Sequence, residues 1–146
     1  MNPLLFEVVA LACAGLFAGA AAYVSFVEHP ARVSCGTAAA IEEFRPSYRR
    51  GAVMQASLAI AGLVAGVIAW VMVRDARLLA GALLLGSLVP YTLIAILPTN
   101  KRLLDLSLDA SSAEASALLR RWGVLHAVRT IVGLAAFALL LSRLAT

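Results

Sequence analysis

Residues 51–97 read GAVMQASLAIAGLVAGVIAWVMV (51–73), RDAR (74–77) and LLAGALLLGSLVPYTLIAIL (78–97). Each outer piece supplies the about 20 consecutive apolar residues that a membrane-crossing helix needs. The four residues between them are too few for anything but a tight antiparallel turn. The stretch therefore reads as two neighbouring transmembrane helices. On either side, 4–27 and 122–141 are apolar over similar lengths. Across all 146 residues, 62% are hydrophobic and 14% charged, with a mean hydropathy of +0.93. A soluble domain is nearer half apolar and a quarter charged, and a disordered chain is poorer still in apolar residues. The sequence thus predicts an all-α integral membrane four-helix bundle, a single transmembrane domain over 1–146 with spans 4–27, 51–73, 78–97 and 122–141.

The first span contains a run of small residues at 18–22 that resembles a signal-peptide cleavage region. No Lys or Arg precedes it, so it is read as a retained helix. The net charge of +4 does not indicate a nucleic-acid partner, because the basic residues gather in the loops. Arg32, Arg45, Arg49 and Arg50 lie in the first loop, and Lys101, Arg102, Arg120 and Arg121 in the third. Arg74, Arg77 and Arg143 lie on the other side. Eight against three places both long loops in the cytoplasm and both termini outside. Cys13 and Cys35 form no C-x-x-C pair, which speaks against a thiol-disulfide enzyme and a structural zinc site. Within the first loop, 37–44 reads as a short amphipathic helix on the membrane surface. Ser111 and Glu114 have capping-box spacing, so the last helix should begin near Ser112. Gly15-x-x-x-Gly19 and Gly62-x-x-x-Gly66 should let helices pack closely, within one chain or in a homo-oligomer.

Ionisable groups inside a span cost about 2.5 to 3.5 kcal/mol at its centre, so each requires an account. Arg129 lies about 10 Å along the last helix from Trp122, an interfacial anchor. Trp122, His126, Arg129 and Gly133 follow at spacings of four, three and four and fall within about 60° of arc, one stripe on one face. The plain alternative is a snorkelling Arg129 and an interfacial His126. The first span ends at Glu28-His29-Pro30, where Pro30 should terminate or kink the helix, and the third ends at Pro98-Thr99-Asn100. Odd-numbered spans end where the fourth begins, so Glu28, His29, Thr99, Asn100, His126 and Arg129 can meet. Taken singly, Thr99 and Asn100 suit a helix cap, and Tyr23, Tyr48 and Tyr91 suit interfacial aromatics.

At these residues the sequence resembles the anthrone oxygenase-like family of small four-span membrane proteins. The resemblance rests on His29-Pro30 after a Gly-rich first span, Pro98-Thr99-Asn100-x-x-Leu103 after the third, and Trp122-x-x-x-His126-x-x-Arg129 in the fourth. It implies a membrane-embedded oxygenase or oxidoreductase acting with molecular oxygen on a hydrophobic aromatic molecule, anthrone- or quinol-like, in what would be a bacterial inner membrane. The implied site comprises His29, Asn100, Trp122, His126 and Arg129. A neutral imidazole, His126 or His29, would take a proton from the activated methylene. Arg129 and Asn100 would stabilise the enolate oxygen, while Trp122 or Tyr23 stacks on the ring system, with Tyr91, Thr99 and Glu28 completing the pocket. No cofactor is required on this reading. One rival is haem, iron or copper held by His29, His126 and Glu28, against which no span carries His or Glu at paired ligand spacing. Another is a non-enzymatic lipid- or quinone-binding protein or accessory subunit.

Overall fold

The computed structural model describes residues 2–145. The chain is all-helical: α1 (Pro3–Tyr23), a π-helical turn (Val24–Glu28), α2 (His29–Ser34), α3 (Thr37–Val73), α4 (Ala76–Tyr91), a second π-helical turn (Thr92–Ile96), α5 (Leu97–Leu104) and α6 (Ala113–Leu144). These join into four rods long and apolar enough to cross a membrane, Pro3–Ser34, Thr37–Val73, Ala76–Leu104 and Ala113–Leu144. The protein is an integral membrane four-helix bundle. Outward positions such as Val53, Ile60, Val64 and Ile131 are exposed and apolar, as a lipid-facing wall requires. The rods pack in the ring order α1, α3, α4, α6, with little contact across the diagonals.

The turn joining the second and third rods is only Arg74-Asp75. Arg74 adopts the left-handed conformation (φ 63°) that ends α3, and the Asp75 carboxylate caps α4 by accepting from the Arg77 amide at 2.9 Å. Close approach of the rods depends on small residues. A Cβ on Gly66 would lie 2.7 Å from that of Ala82, and one on Gly62 would lie 3.0 Å from that of Cys13. Gly15 packs on Phe137, but Gly19 faces open space, so only half of the first small-residue motif is a helix contact.

A short helix occupies the first loop, at His29–Ser34, whereas 37–44 is helical and runs without a break into the second span. At α6 the cap is Ser112, which accepts from the Ala115 amide at 3.1 Å. Glu114 does not reach back as a capping box would; it makes two hydrogen bonds with Arg102, at 2.7 and 3.0 Å. Asp105, in the loop that follows α5, is held below its usual carboxylate range by the Ser107 amide and hydroxyl, with Arg102 assisting.

Pro30 does not end the first rod, nor does Pro98 end the third. In each case a π-helical turn lies just before the proline, at Val24–Glu28 and Thr92–Ile96. Proline lacks an N–H and clashes with the carbonyl four residues earlier. Widening the turn relieves that clash and lets the helix continue. The consequence is positional: Glu28, His29, Thr99 and Asn100 lie within helices packed on the bundle and not at frayed ends.

Two apolar cores result. One is built of small residues with Phe17, Leu78, Leu85 and Leu140, and the other of Ile41, Phe44, Ile96, Leu103, Leu119 and Trp122. Along α6 the second core ends at Trp122 and the first resumes at Ala136. His126, Arg129 and Thr130 are buried between them.

Candidate functional site

Trp122 is the hub of this polar layer. Its ring stacks on His126 (4.7 Å, 24°), meets His29 at 5.1 Å and takes the edge of Phe44 at 5.2 Å. The stack with His126 follows from the four-residue spacing, which puts the two rings on one face of α6 one turn apart. Trp122 Nε1 donates to Asn100 Oδ1 at 2.8 Å, and Asn100 Nδ2 donates to the Tyr48 hydroxyl at 2.9 Å. Asn100 is fully buried, so this bridge satisfies groups that would otherwise cost about 1 to 3 kcal/mol each. His29 sits against Gly123, where a Cβ would come within 2.7 Å of its Nε2. A larger residue there would push that imidazole aside.

Arg129 is 8% exposed and donates to Gln55 Oε1 at 2.5 Å, with its guanidinium 5.4 Å from the centre of the Phe17 ring. Among the described residues no carboxylate pairs with it. Arg32, also buried, is charge-paired: it binds Glu28, Glu43 and Ser47, and lies over the rings of Phe44 and Trp122. Glu28 also accepts from Ser47 at 2.8 Å. His126 Nδ1 contacts Ser25 Oγ at 3.1 Å, and Ser25 contacts Thr130 Oγ1 at 2.8 Å.

His126, Arg129, Trp122, Asn100 and Glu28 share the lining of one central cavity of about 40 Å³, with Gln55, Tyr48 and Arg32. That volume suits one or two waters and no ring system. Larger clefts open sideways from it. One of about 290 Å³ lies between the first and fourth rods and is lined by His29, Trp122, Gly123 and His126 among others. Another, of about 160 Å³, lies between the second and third rods, with Arg129, Gln55 and Phe17 in its wall.

The remaining expected residues are placed differently. Tyr23 is 56% exposed and does not line the central cavity; it lines an adjoining groove that shares Glu28 and Gln55 with it. Tyr91 donates to the Leu125 carbonyl at 3.1 Å, tying the third rod to the fourth. Thr99 is buried beside Asn100 in α5. Glu28 is turned to Arg32 and Ser47, and among the described residues no group of three His, Cys, Asp or Glu could hold a metal ion. Gln55, Arg32, Tyr48, Ser25 and Thr130 were not anticipated. Gln55 carried a readable signal, a lone amide inside an apolar span.

Residues 44–139 match the family model described as anthrone oxygenase. A protein named anthrone oxygenase from Claviceps purpurea (strain 20.1) is 29% identical over 143 residues, covering 88% of this chain and 82% of that protein. No solved structure matches the chain.

Proposed function

Since the chain belongs to the anthrone oxygenase family, we propose that it oxidises a hydrophobic aromatic ketone bearing an acidic methylene, taking the substrate sideways from the bilayer and using molecular oxygen. The observation that carries this reading is Arg129, a buried cation facing an amide and a ring, one turn from an imidazole in the same cavity. A guanidinium without a counter-charge in an apolar bundle is suited to an anion that forms during reaction. On this reading the ring system stays in a side cleft and its ketone and methylene edge reaches the small cavity, where His126 removes a methylene proton and Arg129 receives the charge on the ketone oxygen as the enolate forms. The carbanion adds O₂ to give a hydroperoxide, which loses water. The methylene carbon thereby loses two hydrogens and gains one oxygen atom, and the second oxygen leaves as water with those hydrogens. Trp122 orients the imidazoles, since protein rings already surround it. The Asn100 amide is committed to Trp122 and Tyr48, which leaves the enolate chiefly to Arg129.

The test is oxygen uptake and quinone formation by the purified protein in nanodiscs with anthrone, after subtraction of spontaneous oxidation. Turnover that is lost in the His126→Ala, His29→Ala double variant supports the proposal. Turnover unchanged in that variant, or a copurified lipid in the cleft with no oxygen uptake, sinks it.

The cavity end of the bundle is assigned to the cytoplasm on the distribution of basic residues. Cys35 is exposed at that end and Cys13 is partly buried. A membrane-impermeant thiol reagent should label Cys35 in inverted vesicles and not in intact cells; the opposite pattern reverses the orientation.

A further inference from the structure

A line of short contacts between the first and fourth rods bears on which nitrogen of His126 carries the proton. Thr130 Oγ1 lies 3.1 Å from the Ala21 carbonyl oxygen and 2.8 Å from Ser25 Oγ, and Ser25 Oγ lies 3.1 Å from His126 Nδ1. A carbonyl only accepts, and each hydroxyl has one proton to give. If Thr130 donates to Ala21, Ser25 donates to Thr130, and the last contact takes its proton from Nδ1. Three contacts then share three protons. In the reverse order Thr130 donates to Ser25 and Ser25 to Nδ1, and the contact between Thr130 and Ala21 has no proton. Thr130 Oγ1 is also 3.5 Å from the His126 carbonyl, a second acceptor that the reverse order likewise leaves without the Thr130 proton. Thr130 is 3% exposed, and in such a buried layer the order that makes three hydrogen bonds is favoured over the order that makes two.

We propose that Thr130 and Ser25 are positioning residues that lock His126 as the Nδ1–H tautomer and leave the Nε2 lone pair as its open acceptor. Ser and Thr hydroxyls in membrane helices commonly bond a backbone carbonyl of their own helix. Here the acceptor at 3.1 Å belongs to the other rod, and the line continues to an imidazole. The tautomer is set by what the far nitrogen binds, so the line does for His126 what a carboxylate does in a catalytic triad. Its consequence for turnover rests on the base role proposed above; the tautomer itself does not.

The chain has two histidines, so ¹⁵N-histidine labelling in nanodiscs, with His29→Gln for assignment, resolves both rings. At a pH where His126 is neutral, Nδ1 should give a pyrrole-type signal and Nε2 a pyridine-type one. Thr130→Val keeps the side-chain shape but frees the Ser25 proton for Nδ1, so the ring should shift toward Nε2–H. Ser25→Ala, which removes the partner of Nδ1, should give a mixture, and Thr130→Ser should restore the original pattern. A wild-type ring protonated on Nε2, or a Thr130→Val ring indistinguishable from wild type, overturns the proposal. With anthrone as substrate, Thr130→Val should lower kcat by about tenfold or more with KM little changed, and Thr130→Ser should recover it. If the nitrogen signals change as stated and turnover does not, the positioning stands and the base role of His126 falls.

Discussion

The two ends of the bundle treat arginine differently. At the turn end, Arg143 lies 3.5 Å from the buried carboxylate of Glu7 and 3.3 Å from Asp75, which also binds Arg77. Charge there is cancelled within the protein and ties the first, third and fourth rods together. At the cavity end Arg32 is treated in the same way, but Arg129 is given an amide and a ring. Burying an unpaired charge is costly, and a bundle needing only stability would have an apolar residue at 129. Under the proposed function, the contrast separates a charge that holds the fold from one kept in reserve for a ligand.

The sharpest way to break that contrast is to remove each arginine in turn. Arg129→Met should lower anthrone turnover by about 10²- to 10³-fold, the loss typical of one oxyanion-stabilising donor, with a melting temperature no lower than wild type. Arg143→Met should do the reverse. It removes the arginine that pairs with buried Glu7, a loss of about 1 to 3 kcal/mol, with turnover retained. Thermal melts in detergent and the oxygen-uptake assay decide both. If Arg129→Met is the destabilised variant and still turns over, the reserved-charge account is lost.

The glycines offer a second and smaller test. Gly66 lies against Ala82, whose Cβ cannot swing away, so Gly66→Ala should cost about 1 to 3 kcal/mol of stability. Gly123 lies against the His29 ring, which can turn. Gly123→Ala should therefore leave the melting temperature closer to wild type and lower turnover more. Equal effects of the two substitutions on both measurements would remove the distinction between a packing glycine and a site glycine.

What the sequence disclosed follows from the kind of signal each feature carries. The four rods were legible because apolar length is a direct demand of the bilayer. Trp122, His126, Arg129 and Gly133 were legible as a stripe because helical periodicity puts them on one face, and all four are buried. The partners of that stripe were harder to read. Gln55 escapes a filter that looks only for ionisable groups, although a buried amide also needs a partner. Ser25 and Thr130 gain meaning only from a contact between residues 105 apart, which no local pattern encodes. Pro30 and Pro98 misled for a physical reason. A proline signals a break in an α-helix, and whether the chain breaks or widens into a π turn depends on what the next residues can pack against, here Phe44, Tyr48 and Trp122.

The smallest expected effect concerns the turn end alone. Hydrogen bonds from the Arg77 side chain and amide, with Arg143 nearby, hold the Asp75 carboxyl at about 2, below its ordinary 3.8. A carboxylate whose folded value is depressed contributes stability that is present above the ordinary value and lost as pH falls through the folded one. Asp75→Asn keeps a side-chain oxygen for the helix cap and removes the charge. The melting-temperature gap between wild type and Asp75→Asn should be constant at neutral and mildly acidic pH, then close as pH approaches about 2. Asp75 is partly exposed to solvent, so the gap should also shrink in high salt. A gap insensitive to both would mean that the turn is held by the cap alone. Arg143 would then owe its position to Glu7 and not to a shared charge network.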